Sequence, residues 1–209
     1  MRVSELSRVS GVPVATIKYY LREGLLPRGE TTSPNQARYD ETHVRRLQLI
    51  RALVEVGSMP VAVIKEVLDA IDDPDVGLHE VLGAAVYPVS GGRMDCDAEV
   101  PEIDGAAELD ALIAERGWHV HPGAPARATA AEVLVRMREL GLDPEGTLVR
   151  AWADAAERAA AGDLAAVERA GGRERAAEVA LLGTVIGDTM LGALRRLAQE
   201  SRSAELYGS

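Results

Sequence analysis

Lys18 and Arg22 are four positions apart, and with Ala15 and Tyr19 they share one face of a helical wheel. Thr16 lies on the flank of that face, while Ile17, Tyr20 and Leu21 fall on the other side. Two cations and a phenol on one face can hold phosphates and reach base edges in a DNA groove. Arg38 and Tyr39 repeat the same pair of chemistries after a polar stretch. No nucleophile–histidine–acid set, phosphate loop or cysteine–histidine metal cluster accompanies them, so no enzyme, no metal site and no cofactor is expected.

These residues need elements to hold them. The run Gly11–Pro27 reads as a short helix between two stops: Pro13 suits a helix start, Gly24 the left-handed position past its end, and Pro27 prevents resumption. A first short helix over 3–9 precedes it, capped by Ser4, with Ser10-Gly11 as the turn. Two short helices joined by a tight glycine turn form a helix-turn-helix pattern. Residues 28–39 are rich in turn formers and read as an exposed hairpin or loop with cationic ends. Asp40 caps a third helix carrying Val44, Leu47, Ile50 and Val54, and Gly57 ends it. Pro60 opens a fourth through Ile64, Leu68 and Ile71.

The ordered set Thr16-Ile-Lys-Tyr-Tyr, Glu23-Gly-Leu-Leu-Pro27, Ala37-Arg-Tyr-Asp40 and Leu47-Gln-Leu-Ile-Arg51 resembles the winged helix-turn-helix head of MerR-family transcription regulators. The resemblance covers about residues 1–72. It implies a homodimer on a pseudo-palindromic double-stranded operator, with DNA distorted so that RNA polymerase can engage the promoter. It also implies that Lys18 is the basic residue of the second helix, that Tyr19 contacts phosphate, and that Arg38 and Tyr39 are wing residues touching the backbone. Arg22 rests on the wheel alone. Pro13 and Ala15 depart from the family, which commonly has a polar cap and a basic residue there.

Asp72-Asp-Pro-Asp75 marks a junction, and 73–125 reads as a connector. A helix is expected over 76–87. The long helix that pairs many MerR dimers would need uninterrupted heptads, which Pro88, Gly91, Gly92 and Pro101 deny. A displaced pairing helix over 102–117, with Ile103, Leu109, Leu112 and Ile113, is the alternative favoured. Trp118 to Pro125 reads as an extended linker. Cys96 with His79, His119 and His121 makes an irregular, poor metal set.

Residues 126–209 are expected to be a helical effector or dimerisation domain. Its helices would run from Thr129 to Gly141, from Pro144 to Ala161, from Asp163 to Gly171 and from Arg173 to Glu200. Gly183 and Gly187 suggest close helix contact, within the bundle or across a dimer. The bundle is similar in pattern to TetR-type ligand-binding bodies, and Trp118, Met137, Trp152 and Met190 are candidate lining for a small apolar effector.

The formal net charge of −10 hides an asymmetry: residues 1–51 carry nine Lys/Arg against five Asp/Glu, and residues 52–209 carry 14 against 28. A basic head on an acidic body fits a DNA-binding protein. No apolar run of membrane-spanning length stands out, and a cytoplasmic, bacterial protein is expected. The fold class expected is mainly α, a winged helix-turn-helix head followed by an all-helical C-terminal bundle. The function expected is a dimeric, sequence-specific transcription regulator, gated by an apolar effector. The alternative is an excisionase-like or architectural DNA-binding protein without effector.

Overall fold

Glycines in the left-handed region set the first two corners. In this computed structural model, which describes residues 1–33, 36–77 and 104–208, helix α1 spans Val3–Ser10 and α2 spans Val14–Glu23. Gly11 (φ 72°) turns the chain between them, and Gly24 (φ 77°) ends α2 with its N–H on the Tyr20 carbonyl. Pro13 sits just before α2 with φ −57° and ψ 143°, a cap without a side-chain acceptor. Ser4 is inside α1, whose cap position is Arg2, so the expected Ser4 cap is not made.

Strands β1 (Glu30–Ser33) and β2 (Gln36–Arg38) pair antiparallel, with Glu30 opposite Arg38 and Thr31 opposite Ala37. Helix α3 (Glu41–Glu55) starts on the Asp40 carboxylate, which accepts from the Thr42 N–H at 2.9 Å and the His43 N–H at 3.3 Å. Helix α4 is Val61–Asp72. The buried side chains Leu6, Ile17, Leu25, Leu26, Leu47, Ile50, Ile64 and Leu68 join these elements into one core. Arg46 is buried among them; its Nε donates to the Leu25 carbonyl at 3.2 Å and its guanidinium pairs with Asp72. A buried arginine with both partners in place locks the α2 end to the α4 end.

Of the helix expected at 76–87 only Val76 and Gly77 lie within the described residues; Cys96, His79 and Ile103 lie outside them. Beyond, α5 is Ala106–Arg116, α6 Pro125–Glu139, α7 Thr147–Arg169 and α8 Arg173–Tyr207. Helices α5 and α6 pack together, as do α7 and α8. Ion pairs tie the two hairpins: Arg116 to Asp154, and Arg150 Nε to Glu115 at 3.0 Å.

Three expectations are corrected here. The helix break at Gly162 is absent, because α7 runs through it; a lone glycine costs about 1 kcal/mol, and Asp163 is a helical residue, not a cap. The linker from Trp118 to Pro125 is not extended throughout; His121 Nδ1 accepts the Gly123 N–H at 3.1 Å in a turn before α6. Helix α8 contains a stretch of mean hydropathy 1.4, long enough to cross a membrane. Its Ala177, Leu181 and Val185 enter the head's core, while Met190, Leu194 and Leu197 further along are exposed.

Arg173, the first residue of α8, donates to the carbonyls of Ile71 at 3.1 Å and Asp73 at 2.6 Å, and also to that of Val76. The last helix in sequence is thereby fastened to the end of α4. The chain is mainly helical, a winged helix-turn-helix head followed by an all-helical C-terminal part.

Candidate nucleic-acid interface

Helix α2 divides its side chains as its amphipathic pattern dictates. Ile17 and Tyr20 are buried in the head core and Leu21 is half-buried. Ala15, Lys18, Tyr19 and Arg22 are exposed, with Thr16 half-buried at the flank. The adjacent tyrosines therefore have opposite fates: Tyr20 is 8% exposed and Tyr19 37%. Burial, with the neighbouring Tyr19 and Glu55, pushes the Tyr20 phenol above its usual range and keeps it neutral.

The Arg22 guanidinium carbon lies 5.4 Å from the Tyr19 ring centroid, and its Nε donates to Glu23 at 3.2 Å. The cation–π contact holds both side chains on the outer face of α2. Arg38 is exposed at the end of β2. Among the described residues neither Lys18 nor Arg38 has an ion-pair partner, so both cations are free to take phosphates.

Tyr39 differs from its expected place. Its ring is only 9% exposed and packs edge-on against His43, with centroids 5.2 Å apart. Its backbone N–H donates to the Met1 carbonyl at 2.9 Å, and the Met1 ammonium donates back to the Tyr39 carbonyl at 2.5 Å. Tyr39 thus pins the end of the wing to the start of α1. A Cβ on Gly29 would lie 2.9 Å from the Tyr39 ring, so the base of β1 also rests on it.

The expected effector set is split. Met137 and Trp152 line one cavity of about 480 Å³ between α5, α6 and α7. Trp118 lies apart from that lining, its Nε1 donating to Glu157 at 2.9 Å. Met190 is exposed on α8. The sequence reading missed Asp188, which lines the same cavity. Its signal was available: it is the sole ionisable residue between Val179 and Leu194.

A short helix with a cationic outer face, preceded by a tight corner and followed by a two-stranded wing, defines a winged helix-turn-helix DNA-binding protein. The family described as "MerR HTH family regulatory protein" matches residues 1–71. The HTH-type transcriptional regulator ZntR homolog of Haemophilus influenzae is 40% identical over 50 residues, 24% of this chain and 37% of that protein. The mercuric resistance operon regulatory protein of Bacillus cereus is 39% identical over 56 residues, 27% of this chain and 42% of that protein. These matches span less than half the length of either curated relative. The crystal structure of SCO5550 from Streptomyces coelicolor A3(2), described as a transcriptional regulator, is 36% identical with a TM-score of 0.77 and covers 100% of this chain and 99% of that one. The chain belongs to the MerR family of DNA-binding transcription regulators.

Proposed function

We propose that the protein is a homodimeric, sequence-specific regulator that docks α2 in the major groove and the β1–β2 wing on the flanking backbone. The observation that carries this reading is the pair of uncompensated cations, Lys18 and Arg38, exposed on the helix and the wing. Lys18 and Arg22 lie nearest the bases, Thr16, Tyr19 and Arg38 hold phosphates, and Tyr39 anchors the wing rather than touching DNA. Residues 1–72 form the reading head, 73–125 the connector and 126–209 the body.

The C-terminal half of α8 supports the dimer. Met190, Leu194 and Leu197 are exposed at helical spacing, and Gly187 on the same side has no neighbour within 4 Å of a Cβ. A second copy laid along this stripe would cover it. The cavity behind Trp152 supports gating by a small effector. Such a protein acts in the cytoplasm, on RNA polymerase at a promoter.

The test is selection from a random duplex pool with the full chain. The reading predicts enrichment of a two-fold symmetric motif. Enrichment of a single asymmetric half-site would refute the dimer, and no enrichment would favour the architectural alternative.

A further inference from the structure

The two cations on the outer face of α2 are held differently. Lys18 is exposed, and among the described residues no ion pair takes it. Arg22 is held at two points yet stays open. Its guanidinium carbon lies 5.4 Å from the Tyr19 ring centroid and its Nε donates to Glu23 Oε1 at 3.2 Å, while its side chain is 70% exposed. Tyr19 is three positions back along the helix, so the guanidinium leans over the preceding turn, as helical side chains do. It does not trail off the end of α2 at Gly24.

That arrangement limits what Arg22 can recognise. A guanidinium has five N–H donors and no acceptor. With Nε taken by Glu23, the N–H groups of Nη1 and Nη2 remain, all in one plane. A phosphate gains least from them, because the Glu23 carboxylate offsets the charge and repels the phosphate oxygens. A neutral edge with two acceptors loses nothing to that carboxylate. In the major groove guanine presents such an edge, O6 beside N7, whereas adenine and cytosine present an amino donor and thymine a methyl group. The stack on Tyr19 and the bond to Glu23 also hold the fork before DNA arrives, so less rotamer freedom is lost on docking.

We infer that Arg22 reads a guanine in each half-site through O6 and N7, and that Tyr19 and Glu23 position its guanidinium for that edge. The inference rests on the reading in which α2 enters the major groove, and it deepens that reading by naming a base. The two cations of α2 then divide the work. Lys18 keeps its full charge for the attraction to DNA, and Arg22, its charge already offset, contributes discrimination.

The experiment is fluorescence anisotropy of the full chain on a duplex chosen by selection, with guanines replaced at matching positions of both half-sites. 7-Deazaguanine removes N7 alone; hypoxanthine keeps O6 and N7 and removes only the minor-groove amino group. At one guanine position 7-deazaguanine is expected to weaken the wild type by about tenfold, and hypoxanthine to leave its affinity unchanged. The double variant Arg22→Ala/Glu23→Ala keeps the net charge. It is expected to bind the guanine and 7-deazaguanine duplexes equally, with the salt slope of the wild type. Persistence of the N7 penalty in this variant would give the guanine to another residue, and a slope reduced by about one would put Arg22 on a phosphate; either overturns the inference. Equal weakening by hypoxanthine would place the contact in the minor groove and overturn it as well. A selected motif with no N7 dependence at any guanine would overturn it and leave the DNA-reading role of α2 standing. No selected motif would overturn both.

Discussion

Gly57 and Val185 meet with no room for a methyl group between them: a Cβ on Gly57 would lie 2.2 Å from Val185 Cγ1 and 2.8 Å from the Leu53 carbonyl. This is where the last long helix touches the turn between α3 and α4. Gly57→Ala is expected to destabilise the protein by about 1–3 kcal/mol through overpacking. Adding Val185→Ala removes the nearer clash, so the double variant should recover part of the loss, read as the urea midpoint. An equal loss in both variants would show that the Leu53 carbonyl alone sets the cost.

Gly187, two positions beyond Val185, is the opposite case, with open space where its Cβ would be. Gly187→Leu should not lower the melting temperature, since leucine is the better helix former by up to about 1 kcal/mol. It should convert a dimer to a monomer by light scattering, because the bulk falls on the proposed pairing stripe beside Met190. A dimer of unchanged mass would place the pairing surface elsewhere.

Asp40 joins the wing to α3 as the cap of that helix. Hydrogen bonds from Thr42 and His43 hold it well below its ordinary value of 3.8. A depressed folded pKa adds stability that is complete above the unfolded value and is lost as pH falls through the folded one. The contribution should therefore be intact above about pH 4 and decline below it. Melting temperatures measured from pH 6 down to 2.5 should converge for the wild type and Asp40→Ala at the acid end. Parallel curves would show that the cap's charge adds nothing.

Much of the head was legible because its signals are local. Gly24 and Pro27 bound α2 in sequence as they do in space, and the Ile17–Tyr20 and Lys18–Tyr19–Arg22 faces follow from helical periodicity alone. The burial of Tyr39 was not legible, because an Arg-Tyr pair carries no sign of which ring turns inward; the partners that decide it, Met1 and Gly29, are distant or featureless. The body was less legible. Gly162 reads as a stop, yet α7 passes through it because packing on α8 outweighs a small propensity cost. The docking of α8 on the head depends on Ala177, Leu181 and Val185, which are ordinary apolar residues at helical spacing and do not name their partner. The cavity acid Asp188 stood alone in an apolar run, but only the fold places it beside Trp152.

Arg173→Met tests the fastening of α8 without changing its helical start. Losing the donors to Ile71 and Val76 leaves half-buried carbonyls without partners. Each such loss is typically about 1–3 kcal/mol. Hydrogen exchange should quicken in Ala176–Val185 while α2 is unaffected. Uniform protection throughout would show that apolar contacts alone hold α8.

The central claim is that DNA is read by α2 and held by the wing, and duplex affinity against salt tests it most directly. Fluorescence anisotropy with a selected duplex would be measured for the wild type, Tyr19→Ala and Arg38→Ala over a series of salt concentrations. Affinity should fall linearly with log salt. Arg38→Ala should weaken binding and reduce the slope by about one. Tyr19→Ala should weaken binding with little change of slope, because a phenol releases no counterion. Unchanged affinity and slope in both variants would contradict the assignment of this face to DNA.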